Sequence, residues 1–199
     1  MHVKICGITT ESDAQFVHEM GAQFIGFLFA PSKRRISPVK AKELVKHIGN
    51  KTKTVGVFVN ETVENMLEIA QYVGLDYIQL HGNEPASTAE RLPYPIIKAF
   101  HANDVTPFEI ATYPCDYYLI DSPGGGTGKT FDWDLLNRLP IDKKKLILAG
   151  GLNPNNVTKA IEMTQAFGVD VSSGVETEGI KDKEKIKQFI TNSQAITVE

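Results

Sequence analysis

The sequence has few cysteines and no long apolar run, and both shortages narrow the classes of protein that it can encode. Only Cys6 and Cys115 occur among the 199 residues. Two isolated cysteines fit neither a disulfide framework nor paired CxxC zinc ligands, so we expect a reducing, cytoplasmic location. The longest apolar run, residues 24–30, is far shorter than the roughly 20 residues that cross a bilayer. We therefore expect neither a membrane segment nor an export signal.

The chain also lacks an excess of basic residues. Its formal net charge is -3 at pH 7, which argues against general nucleic-acid binding, because such binding relies on a surface rich in lysine and arginine. The composition is otherwise typical of a globular protein, with 42% hydrophobic and 23% charged residues. At this length we expect one domain over residues 1–199 with one core.

What the sequence does contain is an alternation of strand-like and helix-like segments. Short runs rich in β-branched and aromatic residues are each followed by a segment with helical spacing, which is typical of consecutive βα units. The eight predicted strands are residues 2–6, 24–29, 54–59, 77–81, 96–100, 117–121, 146–150 and 169–173.

Start signals and apolar stripes support the helices. Ser37 followed by Pro38 is an N-cap with proline at the first helical position, and Asn153 with Pro154 is the same signal for the seventh helix. Three groups of apolar residues recur at helical spacing. They are Val63, Met66, Leu67, Ala70 and Val73; Val157, Ala160, Ile161 and Thr164; and, more loosely, Val39, Leu44, Val45 and Ile48.

Eight parallel βα units can close into a (β/α)8 TIM barrel, which leaves no exposed sheet edge. The alternative is an open, doubly wound sheet. Side chains alternate along a strand, so Lys4 and Cys6 lie on one face of the first strand, which we expect to be the barrel interior. Because a buried charge needs a partner, we predict an interior polar network of Lys4, Lys98 and Asp170.

The site of such a barrel lies at the carboxyl ends of its strands. The last two strands end in Gly150 and Gly151 and in Ser173 and Gly174, where backbone N–H groups can reach an anion without obstruction by a Cβ. We predict that these four residues bind phosphate, assisted by a short helix that starts within residues 175–178. The alternative is that the glycines serve only tight turns.

A glycine-rich stretch at residues 123–130 ends like a P-loop, but it lacks the first glycine. Pro123 occupies that position, and the stretch follows a late strand. The sequence therefore argues against ATP or GTP binding, and we expect a mobile loop beside the site instead. We predict no nucleotide cofactor and no metal.

Cys6 and Asp121 are the candidates for acid–base chemistry. Cys6 ends the first strand beside Lys4, whose ammonium group favours a thiolate while apolar burial opposes it. Asp121 ends the sixth strand, where a carboxyl group kept protonated can act as a general acid. The alternatives are a small buried hydrophobe for Cys6, which is also our interpretation of Cys115, and a loop cap for Asp121.

His81 and Arg34 are the candidates for substrate binding. His81 ends the fourth strand and has no metal-type ligand two or four residues away, so it is a contact or wall residue rather than a zinc ligand. The planar guanidinium group of Arg34 can bind a carboxylate or a ring. For its neighbours Lys33 and Arg35 we expect a solvated loop face.

Six blocks of sequence resemble the phosphoribosylanthranilate isomerase family of tryptophan biosynthesis along nearly the whole chain. The blocks are VKICGIT at 3–9, SKRRIS at 32–37, IQLHG at 78–82, LID at 119–121 with GTGKTFDW at 126–133, AGGLNPNNV at 149–157, and VDVSSGVE at 169–176. Any one block could mislead, whereas six in the same order are hard to obtain by chance.

The resemblance implies the Amadori rearrangement of N-(5-phosphoribosyl)anthranilate to its 1-deoxyribulose 5-phosphate isomer, an aldose–ketose isomerisation. It implies that Asp121 protonates the furanose oxygen, that Cys6 removes the C2 proton and that Arg34 contacts the anthranilate. Two alternative functions remain open. The chain could be another phosphosugar barrel enzyme, such as a ribulose-phosphate epimerase or a thiamine-phosphate synthase, or a phosphate-binding barrel without turnover. Beyond its small substrate we expect no nucleic-acid or membrane partner, and a homodimer and a monomer are equally compatible with the sequence.

Overall fold

Eight parallel strands form a closed barrel in the computed structural model, which describes residues 1–122 and 130–196. The barrel strands are β1 (His2–Cys6), β2 (Phe24–Leu28), β3 (Lys53–Phe58), β4 (Tyr77–Leu80), β5 (Ile96–His101), β6 (Tyr117–Asp121), β7 (Leu146–Leu148) and β8 (Gly168–Val171). β1 pairs in parallel with both β2 and β8, and this pairing closes the sheet. The TIM barrel is therefore confirmed, and the open sheet is not.

Helices pack around the barrel between successive strands. They are α1 (Glu11–Glu19), α2 (Pro38–Val45), α3 (Val63–Val73), α4 (Ala86–Glu90), α5 (Pro107–Thr112), α6 (Val157–Thr164) and α7 (Lys183–Gln194). Ser37 caps α2 by accepting a hydrogen bond from the N–H of Lys40, with Pro38 next to it as the start signal predicts. The prediction that Val39 belongs to the apolar stripe of this helix is wrong, since the residue is 62% exposed. In the described part of the chain, no helix is long and apolar enough to cross a membrane.

The helix after β7, α6, starts later than predicted. It begins at Val157 rather than at Pro154, because Asn153 organises a turn before it. The Asn153 side chain accepts a hydrogen bond from the N–H of Asn155 at 2.9 Å, and the N–H of Asn153 donates to the side chain of Asn156 at 2.8 Å. The Asn–Pro signal therefore marks a turn that leads into the helix.

Two other connections differ from the predicted helices. After β6 the described residues contain a 3₁₀ helix, Trp133–Arg138, and the glycine-rich residues 123–129 lie outside the described part. After β8 a single 3₁₀ turn, Ser173–Val175, takes the place of a helix starting within 175–178. It leads into a small antiparallel hairpin of β9 (Glu176–Thr177) and β10 (Ile180–Lys181). Glu178 and Gly179 have positive φ angles of 52° and 80°, which the tight hairpin turn requires.

The barrel interior is apolar near the amino ends of the strands and polar near the carboxyl ends. Buried side chains such as Val55, Leu119 and Ile147 fill the middle. Below them five aromatic rings form what we call the aromatic floor, which consists of His2, Phe24, Tyr77, Tyr117 and Phe167. In this floor the Phe167 ring stacks on His2 and Tyr117, with centroids 3.9 and 4.9 Å away.

Lys98 does not belong to the interior network, so that prediction is wrong. Its strand neighbours Ile97 and Ala99 face the interior, and strand alternation therefore turns Lys98 toward the helices. There its Nζ is 2.9 Å from Glu84 Oε2 and 2.6 Å from the carbonyl oxygen of Gly82. The pair fastens the loop after β4 to β5 from outside the barrel.

Candidate active site

The carboxyl end of β1 places a buried lysine and a cysteine at the barrel mouth. Lys4 lies directly opposite Asp170 in the register of β1 and β8, and its Nζ is 2.9 Å from Asp170 Oδ1. Burial alone would lower the pKa of Lys4, but the Asp170 carboxylate and the nearby Cys6 raise it above its ordinary value. The ammonium group is therefore held charged inside the barrel, next to Cys6. The predicted interior network consists of Lys4 and Asp170 without Lys98.

Gly26 of β2 makes the space that the cysteine and the lysine occupy. A methyl group at this position would stand 2.8 Å from Cys6 Sγ and 3.2 Å from Lys4 Nζ. Both distances are shorter than ordinary contacts of about 3.5–4.0 Å. The sulfur and the ammonium group thus crowd the same point beside a strand residue that has no side chain.

Burial and the nearby cations have opposite effects on the pKa of Cys6. Burial raises the pKa of the Cys6 thiol, Lys4 and then Lys181 lower it, and Asp170 raises it, and the net direction is upward. Cys6 is 7% exposed, so the sulfur is within reach of the mouth but poorly hydrated. Burial likewise raises the pKa of the other cysteine, Cys115, to about 11.

Asp121 ends β6 on the interior side and is 9% exposed. Its Oδ1 accepts a hydrogen bond from the N–H of Ser122 at 2.7 Å, and its Oδ2 lies 3.5 Å from Nε2 of His81. His81 in turn has its Nδ1 2.7 Å from the side-chain nitrogen of Gln79, which is on the same face of β4. The carboxyl group therefore has one oxygen fixed by the backbone and one oxygen turned toward the histidine and the mouth.

The ends of β7 and β8 form a small cavity next to Asp121. Its volume is about 60 Å³, and its lining includes the predicted phosphate residues Gly150, Gly151, Ser173 and Gly174 together with Asp121 and Asp170. Gly150 and Gly151 have φ angles of 86° and 64°. A Cβ at Gly174 would collide with the carbonyl oxygen of Leu152, so only glycine fits there. The structure thus places the four predicted residues around one space shared with the predicted acid.

Arg34 reaches the mouth from the loop after β2, but it is already paired there. Its Nε and Nη2 donate to the two carboxylate oxygens of Glu176 at 2.6 and 2.7 Å. The side chain passes over Gly7, the residue after Cys6, where a Cβ would stand 2.6 Å from Arg34 Cδ. Glu176 holds one edge of the guanidinium group and leaves the Nη1 edge for a ligand. Lys33 and Arg35 are exposed, as expected.

These contacts join most of the predicted site residues into one mouth. Asp170 lines the cavity of Asp121 and also binds Lys4, which adjoins Cys6. The Ser172 hydroxyl donates to the carbonyl oxygen of Cys6 at 3.1 Å and so connects the end of β8 to the end of β1. His81 borders both Asp121 and a larger cavity of about 530 Å³ between the loops after β4 and β5.

Sequence reasoning missed two charged residues of this mouth, Glu176 and Lys181. Glu176 ends the VDVSSGVE block, and its place there could have singled it out. Lys181 lies in β10 without a motif of its own, so only the hairpin shows that it faces Glu176 and Ser172.

Comparisons with known proteins agree with this geometry. The model of the N-(5'phosphoribosyl)anthranilate (PRA) isomerase family matches residues 3–192. An N-(5'-phosphoribosyl)anthranilate isomerase of Listeria monocytogenes serotype 4a is 49% identical over 98% of this chain and 100% of that protein.

Two solved structures of such isomerases also match nearly in full. The crystal structure of phosphoribosyl anthranilate isomerase from Thermus thermophilus has a TM-score of 0.91 and 35% identity, covering 98% of this chain and 99% of that one. A second structure, in complex with reduced 1-(o-carboxyphenylamino)-1-deoxyribulose 5-phosphate, has a TM-score of 0.84 and 39% identity, covering 98% and 100%.

Proposed function

The chain belongs to the N-(5'-phosphoribosyl)anthranilate isomerase family, and on that premise we propose that Cys6 is the base and Asp121 the acid of its reaction. The reaction is the isomerisation of N-(5'-phosphoribosyl)anthranilate to 1-(2-carboxyphenylamino)-1-deoxyribulose 5-phosphate, an aldose–ketose conversion in tryptophan biosynthesis. The observation that carries the assignment is the shared mouth, because Asp170 both lines the cavity of Asp121 and holds the lysine beside Cys6. We also propose that residues 1–199 act as a single catalytic domain.

The first step opens the sugar ring. Asp121 donates its proton to the furanose oxygen, and the bond between that oxygen and C1 breaks with its electrons going to the oxygen. The lone pair of the anthranilate nitrogen forms the C=N bond of a Schiff base at C1. Oδ2 is the suitable donor atom, because Oδ1 already accepts the hydrogen bond from the N–H of Ser122.

The second step moves a proton from C2. The Cys6 thiolate takes this proton, the electrons of the C–H bond form the C1=C2 bond of an enolamine, and the C=N electrons return to nitrogen. Tautomerisation of the enolamine then gives a ketone at C2 and a CH₂ group at C1. No atom is gained or lost overall, since C1 is reduced while C2 is oxidised. An acid and a base on opposite sides of one mouth suit this division of labour.

The remaining predicted residues position the substrate. We assign the phosphate to the backbone N–H groups of Gly150, Gly151, Ser173 and Gly174, where absent side chains allow close approach. We assign the anthranilate carboxylate to the Nη1 edge of Arg34. His81 is the contact residue nearest the acid, at 3.5 Å from Asp121 Oδ2.

The test is the turnover of two variants, followed by the loss of substrate fluorescence. Cys6→Ala and Asp121→Asn are each expected to lower kcat by roughly 10² or more, the usual worth of a positioned base or acid. Cys115→Ala is the matched control, because this second cysteine precedes β6, at the other end of that strand from Asp121, and its substitution is expected to leave kcat unchanged. A near-normal rate in either of the first two variants would remove that residue from the reaction.

A further inference from the structure

Lys181 is a buried lysine without a role in the ring opening or in the proton transfer from C2. It lies in β10 of the hairpin after β8, and its side chain is 4% exposed. Its Nζ is 2.8 Å from Glu176 Oε1, 2.8 Å from the carbonyl oxygen of Ser172 and 3.4 Å from the Ser172 hydroxyl. That hydroxyl is the one that donates to the carbonyl oxygen of Cys6. One hydroxyl group thus separates the ammonium group from the backbone of the cysteine.

The burial of this ammonium group is costly. Burial lowers the pKa of Lys181 below its ordinary value, although Glu176 and Cys6 act in the opposite direction. A two-stranded hairpin at the protein surface does not need an inward lysine, since an apolar residue would fill the same space without losing hydration. The geometry therefore calls for a function of the charge in the mouth itself.

The charges around Cys6 explain that function. Three cations and two carboxylates come from β1, β8, the hairpin and the loop after β2, and they are Lys4, Arg34, Lys181, Asp170 and Glu176. With Cys6 as a neutral thiol the group carries a surplus of one positive charge, and with Cys6 as a thiolate the group is neutral. Across the mouth, Asp121 and His81 face each other as a separate pair.

We infer that Lys181 is a positioning residue of the isomerase, whose ammonium group, held by Glu176 and Ser172, stabilises the negative charge of the Cys6 thiolate. This inference rests on the proposed role of Cys6 as the base. Lys4 acts on the same sulfur from below, but the Asp170 carboxylate offsets it directly at 2.9 Å. Lys181 shares its carboxylate with Arg34, because Glu176 Oε1 accepts hydrogen bonds from both, so the hairpin leaves a net positive field toward the sulfur.

The direction of the effect follows from the charge. A cation near a thiolate lowers the pKa of the thiol, and Lys181 does so for Cys6 against the larger effect of burial. Removal of the Lys181 charge therefore raises the pKa of Cys6 further. At a fixed pH below that pKa, the thiolate fraction is expected to fall roughly tenfold, corresponding to about one pKa unit.

The experiment measures the thiolate directly, in a Cys115→Ala background that leaves Cys6 as the single cysteine. The rate of alkylation of Cys6 by iodoacetamide is followed by mass spectrometry across a pH series. Lys181→Met is expected to lower this rate roughly tenfold at neutral pH and to move its midpoint upward. The low-pH limb of the profile of kcat/KM is expected to move in the same direction.

Two further variants separate charge from structure. Lys181→Gln can still donate to the Ser172 carbonyl oxygen and is expected to show the same shift as Lys181→Met, whereas Lys181→Arg keeps the charge and is expected to restore most of the alkylation rate. Lys185→Met is the matched control, because the Lys185 ammonium group donates to the backbone oxygen of Glu176 at 2.8 Å, rather than to its carboxylate, and its loss is expected to leave the midpoint in place.

The outcomes separate this inference from the proposed function. A folded Lys181→Gln variant with an unshifted Cys6 midpoint would overturn the inference, and so would an equal shift in Lys185→Met. Neither result depends on whether Cys6 is the base. An active Cys6→Ala variant, in contrast, contradicts the proposed function while the alkylation series still reports on Lys181.

Discussion

Gly26→Ala should separate the position of the catalytic sulfur from the stability of the barrel. The added methyl group would stand 2.8 Å from Cys6 Sγ, whereas atoms in ordinary contact are about 3.5–4.0 Å apart. The sulfur therefore has to move by about 1 Å, the difference between these distances. Rotation of the cysteine side chain does not relieve the whole clash, because the methyl group is also 3.2 Å from Cys6 Cα.

The expected loss of activity follows from that displacement. A misplacement of about 1 Å in a reacting group typically costs about 10²-fold in rate, and we expect a fall of that order in kcat. Overpacking of a strand should also cost roughly 1–3 kcal/mol of the free energy of unfolding. The two effects are measured by steady-state fluorescence kinetics and by urea unfolding of the same preparation.

Gly56→Ala is the matched control for this prediction. Gly56 lies in β3 on the face toward the helices, where a Cβ would collide with Leu75 and stand 2.9 Å from Phe58 Cε2. This variant should lose a similar free energy of unfolding while keeping kcat near the wild-type value. If Gly26→Ala turned over substrate as fast as Gly56→Ala, the crowding of Cys6 by β2 would have no part in catalysis.

Two further predictions concern stability. Met66→Ala should lower the free energy of unfolding by about 2–5 kcal/mol, because this side chain is fully buried between α3 and the barrel. Val39→Ala, at an exposed site, is the control and should change the free energy of unfolding by less than about 0.5 kcal/mol. Urea unfolding compares the two variants, and equal losses would contradict the described core. Glu84→Gln should lower the free energy of unfolding by about 3–5 kcal/mol, because it leaves the Lys98 ammonium group buried without its carboxylate. A fall in kcat that accompanies this loss of stability would contradict the position of Lys98 outside the active site.

The barrel and the faces of its strands were largely predictable from the sequence. Alternation places Lys4 and Cys6 on one face of β1 and Val3 and Ile5 on the other, and the wholly apolar face packs against the helices, so the polar face is directed inward. Lys98 shares its face of β5 with Ile96 and Phe100, so the same alternation already indicated that it faces the helices. Strand periodicity is therefore a stronger guide to the face of a residue than the need of a buried charge for a partner.

The pairing of charged side chains at the mouth was not predictable in the same way. Arg34 and Glu176 are far apart in the chain, and their contact depends on a hairpin of two-residue strands that carries no periodic signal. Arg34 therefore looked like a free guanidinium group in the sequence, whereas one of its edges is taken. The segments after β6 and β8 were also beyond reach, because 3₁₀ turns are too short for an apolar stripe to develop.

The aromatic floor has a consequence for how the mouth works. Within the described residues, stacked rings cover the amino end of the barrel, and the Lys4–Asp170 pair lies above them toward the mouth. A substrate bound in the mouth thus covers the carboxyl end of a barrel interior whose amino end is already covered by the rings. Binding displaces water from around Cys6 and the neighbouring cations and so lowers the local dielectric constant. The attraction between the thiolate and these cations is therefore strongest when substrate is bound and the proton is transferred.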